Sequence, residues 1–257
     1  MKHDPRLSLV SVPSLGYGAL TINLGNFANA ATPLGRDARV RHAFELALDR
    51  EALSQVVYAG MYQPNAQATS PLSPLYVQEL APPKRDIARA RALLKEAGVT
   101  IPYPVSLIVY NTPQSVQAGE VIQAMAAEAG FAVRVEAMEF GAAIAAVQRG
   151  DYMMTLGGWS GLLDTDSNAW SFLHTGGALN SAGYANLQVD TLLDQARATD
   201  NVEQRRAAYE GVWQQVHQDL PIIYLWTPRN IVGRSNSIGD FTLLADGLLR
   251  LQDVESK

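Results

Sequence analysis

The chain has 257 residues, 47% of them hydrophobic and 18% charged, enough to bury one large core or two small ones. Its formal net charge of -5, with no Lys/Arg-rich run, disfavours nucleic acid and anionic lipid as partners. The absence of cysteine excludes disulfides, thiolate metal sites and cysteine nucleophiles. No stretch approaches the roughly 18 consecutive apolar residues of a membrane helix, and Met1-Lys2-His3-Asp4-Pro5 lacks the apolar core of a signal peptide.

In chain order, residues 7–12 and 17–24 read as strands. In the second, Leu20, Ile22 and Leu24 alternate with Ala19, Thr21 and Asn23, and Pro13 and Gly16 mark the turn between the two. Residues 25–36, rich in Gly, Asn, Ala and Pro, read as a loop. From Asp37, Val40, Ala43, Phe44, Ala47 and Leu48 recur at helical spacing, and Asp49 opens a second helix carrying Leu53, Val56 and Val57. Residues 60–85 hold five prolines and little periodicity, which predicts a long extended connection over the surface. Asp86 is placed to cap a helix over 87–97, with Gly98 at its C′ position.

The next block carries the architecture. Residues 105–110 read as a strand, followed by Thr112 as N-cap, Pro113 at N1, a helix face through Ile122 and Ala129, and a stop at Gly130. Residues 131–138 alternate as a second strand, residues 141–149 form a short helix, and residues 152–156 have no polar face, as suits a strand covered on both sides. The order strand, helix, strand, helix, strand predicts an α/β layered sheet with a parallel core, because right-handed crossovers bring the carboxyl ends to one edge. That edge collects Asn111, Phe140, Trp159 and Ser160, and open α/β sheets place ligands at such an edge. Gly157 and Gly158 are expected to let the backbone turn there or approach something closely. The candidate ligand-binding residues are Trp159, Ser160, Gly161, Asp164, Asp166 and Asn111. Two alternatives stand beside that reading: the acids cap the following segment or face solvent, and Trp159 only covers the core.

Residues 168–184 read as loop, and residues 189–198 as a helix with Leu192, Leu193 and Ala196 on one face. Asp200 with Glu203 reads as a capping box for a helix lined by Tyr209, Val212, Trp213 and Val216 and ended by Pro221. Residues 222–226 and 231–233 read as strands, and an apolar tail runs on through Leu243 and Leu251. No flexible linker interrupts residues 86–226, and no internal repeat is visible.

Catalytic chemistry finds little support. Gly158-Trp159-Ser160-Gly161 is not a GxSxG elbow. The histidines at 3, 42, 174 and 217 lack HxxxH or HxH spacing, and Asp164-Thr165-Asp166 lacks the glycine and distal glutamate of a calcium loop. No glycine-rich phosphate loop follows a strand. The expectation is therefore no enzyme, no cofactor and no metal. A stand-alone α/β hydrolytic or metal-dependent enzyme is the alternative, and an interaction module built on the apolar tail is a third reading.

Several segments match one family in its own order. Arg39-Val40-Arg41-His42-Ala43 through Asp49-Arg50-Glu51-Ala52-Leu53 resembles the VRxAxxxAIDRxAL helix pair of the peptide and nickel class of solute-binding proteins of ABC importers. Ala88 to Gly98 is similar to its KAxxLLxEAG helix, and Gly158-Trp159-Ser160-Gly161 to its GW turn. Tyr184-Ala185-Asn186 with Asp190 to Arg197 is similar to its YxNPxVDxLLxxAR segment, and Asp246 to Leu251 to its closing segment. The resemblance implies a type II periplasmic-binding-protein-like lobe in a periplasmic or extracytoplasmic protein. Such a protein closes two lobes on a peptide or related small solute and presents it to a membrane permease.

The same resemblance implies that residues 37–226 are the carboxyl-terminal, ligand-binding lobe, that residues 1–36 lead into it, and that residues 227–257 return to the first lobe. An amino-terminal lobe would then be a missing partner, leaving half of a clamp, with weak solute binding and self-association of the isolated lobe as expected consequences. Leu162 stands where peptide-binding relatives place an aspartate for the ligand's ammonium, and no arginine lies between Val105 and Ala118, where dipeptide binders carry a carboxylate partner. A standard dipeptide ligand is accordingly disfavoured.

Overall fold

The structure is a computed structural model describing residues 4–239, 241–252 and 254. The chain opens with strands β1 (Leu7–Pro13) and β2 (Tyr17–Ile22) and reaches a short helix α1 (Pro33–Arg36) through a 3-10 turn at Ala28–Ala30. The loop expected over 25–36 is thus partly helical, because Thr32 caps it by accepting from the Gly35 amide and Pro33 at N1 has no N–H to satisfy.

Helices α2 (Ala38–Leu46) and α3 (Arg50–Tyr58) start where Asp37 and Asp49 supply side-chain caps. Residues 60–85 depart from expectation. Apart from a two-residue strand β3 (Gln63–Pro64) they are irregular, yet Asn65 to Ser70 are buried rather than laid over the surface. Side chains replace the missing ladder: Asn65 accepts from the Ala66 amide and donates to Gln67 O, and Gln67 both donates to and accepts from the Val77 backbone.

Next come α4 (Ile87–Glu96), β4 (Tyr103–Tyr110), α5 (Pro113–Ala129), β5 (Phe131–Met138), α6 (Phe140–Gln148) and β6 (Met154–Trp159), close to the predicted ranges. Residues 168–173, part of the stretch read as loop, belong to α7 (Thr165–Leu173), capped by Asp164 and burying Ala169 and Leu173 at four-residue spacing. Helix α8 (Leu187–Arg197) follows. Helix α9 (Val202–Asp219) is capped by Asn201, whose Oδ1 accepts from the Gln204 amide, so the cap lies one residue after the expected Asp200. Strands β7 (Ile222–Thr227) and β8 (Arg229–Ser235) complete the elements.

The main sheet has six strands in the order β3-β7-β2-β6-β4-β5, and β1 pairs with β8 in a separate antiparallel ribbon. Strands β4, β5 and β6 are parallel to their neighbours in this group, as the crossovers require. Strand β2 runs antiparallel to both β6 and β7, so the sheet as a whole is mixed. The lobe read from residue 37 onward therefore shares its sheet with residues 17–22.

Alternation divides the sheet residues between two cores. On one face Leu20, Ile22, Leu107, Val109, Met154, Leu156, Ile223 and Leu225 pack with α2 to α5. On the other, Tyr17, Ala19, Ile222 and Tyr224 pack with α7, α8 and α9, and Ile108 packs with α6. This is a three-layer α/β arrangement.

Candidate functional site

On the second face a gap opens between residues of α6 and α7. The strand residues beneath the gap are Ala19 and Thr21 of β2 and Thr155 and Gly157 of β6, paired across the ladder as Ala19 with Gly157 and Thr21 with Thr155. All four are small, so the layer above them stays unfilled. The result is a cavity of about 490 Å³ walled by Phe140 and Ile144 of α6, Phe172 of α7 and Leu179, a volume within the range of small-molecule sites.

Aromatic rings frame it. Trp159 meets Phe172 edge-on with centroids 5.2 Å apart, and Tyr110 lies against Phe140 at 4.9 Å. A smaller groove of about 270 Å³ lies at the same edge, lined by Gly18, Leu156, Trp226 and Tyr58, and it shares Tyr17, Tyr110, Gly157, Gly158 and Trp159 with the cavity. The strand tips are thus recessed on both sides.

Two polar groups at this edge are buried without a hydrogen-bond partner among the described residues: the Trp159 Nε1–H and the Tyr17 hydroxyl. Burial raises the Tyr17 phenol far above its ordinary pKa, so it stays neutral. No Asp, Glu, Lys, Arg or His is among the described residues lining the cavity or the groove. Among the described residues no group of three or more His, Asp or Glu could hold a metal ion.

Of the residues singled out in the sequence, Trp159 lines both recesses. Asn111 is exposed just beyond β4, and its amide donates to Met138 O at 2.8 Å, tying the tips of β4 and β5 together. Ser160 is exposed beside Trp159. Gly161 has φ of 78°, and a Cβ there would come within 2.2 Å of the Leu15 carbonyl, so its lack of a side chain lets two loops touch. Asp164 caps α7 and lies 2.5 Å from Arg205; Asp166 lies 2.7 Å from Arg197, whose guanidinium covers the Trp170 ring at 4.2 Å. Burial pushes the Asp164 carboxyl up, but Arg205 and the Asp166 amide outweigh it and hold the pKa below its ordinary value. Neither acid lines the cavity; both fasten α7 to the helices behind it.

Gly157 and Gly158 lie within β6 rather than at a turn, and the close backbone approach falls at Gly158. A Cβ on Gly157 would have only the Tyr110 hydroxyl near it, at 3.5 Å, whereas one on Gly158 would strike the Tyr17 carbonyl at 2.4 Å. Sequence reasoning missed Tyr17, Thr155, Phe172 and Leu179. The available signal was the run of small side chains at 19, 21, 155 and 157, all with one parity in their strands. It also missed Asn168, buried, which accepts from the Leu162 amide at 2.8 Å and donates to Leu162 O at 2.9 Å, pinning the loop after Trp159.

Residues 1–180 match the family described as bacterial extracellular solute-binding proteins, family 5, middle portion. The chain belongs to that family. Among curated relatives of this family-5 chain, the glutathione-binding protein GsiB of Pectobacterium atrosepticum is 28% identical over 99% of this chain and 50% of its own length. The dipeptide-binding protein of Escherichia coli K12 is 26% identical over 88% of this chain and 43% of its own. The chain thus spans about half the length of the curated relatives it matches. In fold it is similar to the oligopeptide-binding protein AppA of Bacillus subtilis, solved with a nonapeptide, at a TM-score of 0.84 and 21% identity over 98% of this chain and 52% of that one. The family and the curated relatives matched here are solute-binding proteins, not enzymes, and the hydrolytic or metal-dependent enzyme alternative is set aside on that ground. Among the described residues no helix is long and apolar enough to cross a membrane.

The segments of this family-5 chain that carry the resemblance are largely architectural. The Tyr184 hydroxyl donates to Asp219 Oδ2 at 2.5 Å and Asn186 Nδ2 to the same oxygen at 2.8 Å, while Arg41 Nε donates to the Asp219 carbonyl at 2.6 Å. Helix α2 and the segment before α8 are thereby tied to the end of α9. Burial, together with the neighbouring Asp219, pushes the Tyr184 phenol far up.

Proposed function

We propose that this chain is the second lobe of a periplasmic or otherwise extracytoplasmic solute-binding subunit of an ABC importer. It would supply one wall of a closing cleft for a peptide or related small solute delivered to the membrane permease. The observation that carries the reading is the aromatic cavity beside Trp159, at the edge where β4 and β6 end. Relatives that bind glutathione and dipeptides support the solute class.

Under this reading residues 37–226, with β2, form the lobe body, and residues 227–257 return to a first lobe, starting from β8 in its pairing with β1. Exposed apolar side chains on that ribbon and after it, Leu9, Ile231, Leu248 and Leu249, support a covering partner there. Of the six candidate ligand residues, Trp159 is the contact we propose; Ser160 follows it in the chain, Asn111 sits just past the tip of β4, Gly161 shapes the loop, and Asp164 and Asp166 hold α7.

A lobe that encloses a solute from one side binds it weakly. The test is ligand-observed NMR of the chain with a library of small peptides and glutathione. Binding should be detected at millimolar solute and lost in Trp159→Ala, and a library hit unaffected by that change would place the contact elsewhere. A low-micromolar dissociation constant from calorimetry would overturn the half-clamp, and sedimentation showing a monomer at every concentration would overturn self-association.

A further inference from the structure

We propose that the wall this chain gives to the cleft admits an uncharged group, aromatic or aliphatic, and rejects a charged one; the inference rests on the cleft reading above. The cavity of about 490 Å³ is large enough for more than a single side chain, and its lining is neutral throughout. The charged groups on the elements around it are engaged elsewhere. Glu139 caps α6 through the Ala142 amide, Arg149 pairs with Asp151, and Asp164 and Asp166 pair with Arg205 and Arg197.

The neutral polar side chains in the lining are largely spoken for as well. Asn26 donates to Val147 O and Ser181 O; Asn180 donates to His174 O and Tyr184 O and accepts from the Tyr184 amide. What stays open to a ligand includes the unpartnered Tyr17 hydroxyl and Trp159 Nε1–H, the hydroxyl of Thr21, a Thr155 hydroxyl held only by a 3.4 Å contact to Ile108 O, the amide of the exposed Gln148, and the faces of Phe140, Phe172 and Trp159. Such groups match amides, hydroxyls and hydrocarbon. A carboxylate or ammonium entering the same space would lose water and find no counter-ion, which is the unfavourable case for a buried charge.

Three probes that share one ring isolate the charge: neutral N-acetyl-phenylalaninamide, anionic N-acetyl-phenylalanine and cationic phenylalaninamide. Each is titrated into the chain by ligand-observed NMR and into Gly157→Val, which fills the floor of the cavity. Gly157→Ala adds one methyl at ordinary contact distance and serves as the milder variant should valine disturb the sheet. The expected result is a neutral probe at least ten times tighter than either charged one, weakened at least tenfold by valine and partly by alanine. A charged probe binding as tightly as the neutral one, and still sensitive to position 157, would overturn the inference while leaving the cleft reading intact. Binding of no probe that responds to position 157 would overturn both.

Discussion

Arg205 reaches from α9 to set its Nη2 2.5 Å from the Asp164 carboxylate at the start of α7, while its Nε donates to the Ala196 carbonyl at the end of α8. One guanidinium thus joins the three helices that back the wall of the cavity. Asp164 is also the α7 N-cap, accepting from the Asp166 amide at 3.0 Å. Asp164→Ala removes cap and ion pair together and should destabilise the fold by about 1–2 kcal/mol, most of it from the cap. Asp164→Asn keeps an acceptor and should lose less than half of that. Urea unfolding of the two variants checks the order; equal losses would show that the charge, not the cap, carries the effect.

Caps and periodic faces were legible because their physics is local. Thr112-Pro113 and Gly130 bracket α5 as read, since a cap needs only a side chain three residues from an amide and a stop needs only a residue that accepts positive φ. The place of β2 was not legible: its partners lie more than 130 residues away, and nothing in Tyr17 to Ile22 names them. Residues 60–85 were misjudged because their burial rests on Asn65 and Gln67 bonding to backbone, which leaves no period in the sequence. Trp159 was readable as an amphipathic ring after a buried strand. The cavity was not, because it is made by small residues on two strands that only the ladder brings together.

The buried ion pair is a second point of weakness. Arg50 Nη2 lies 2.7 Å from Glu45 Oε1 with both side chains nearly inaccessible, and Arg50 Nε donates to the Tyr224 carbonyl on β7. Removing one partner strands a charge in the core, so Glu45→Ala should cost about 3–5 kcal/mol. Replacing both residues with apolar ones of similar volume should cost less than the single change. Thermal unfolding of the single and double variants decides it, and a Glu45→Ala loss within the range of ordinary surface substitutions would contradict the pairing.

Three glycines at the strand edge should respond in a fixed order. A Cβ on Gly18 would sit 2.2 Å from the Trp226 indole, one on Gly158 2.4 Å from the Tyr17 carbonyl, and one on Gly157 no closer than 3.5 Å to the Tyr110 hydroxyl. Gly18→Ala and Gly158→Ala should each destabilise by about 1–3 kcal/mol through overpacking. Gly157→Ala should be neutral or slightly stabilising, since it restricts the unfolded chain without a clash. Chemical denaturation midpoints of the three single variants give the ranking directly.

Acid should loosen α7 before neutral conditions do anything to it. Asp164 has its folded pKa lowered below an ordinary value of 3.8: burial opposes the shift, but the hydrogen bond from Arg205, then the Asp166 amide and the charge of Arg205, outweigh it. Asp194, which accepts from Trp170 Nε1 on α7 at 3.0 Å, is lowered in the same direction, chiefly by that bond. A depressed carboxylate pKa contributes stability that is fully present above the unfolded value and is lost as pH falls through the folded one. The window is therefore below about pH 4, with no contribution from these two groups to any change between pH 5 and 8. Hydrogen exchange at residues 165–173 should accelerate as pH drops below that point relative to the core strands, after correction for intrinsic rates. Asp164→Asn should flatten the Asp164 part of the dependence; an unchanged acid response in that variant would mean the anchor lies elsewhere.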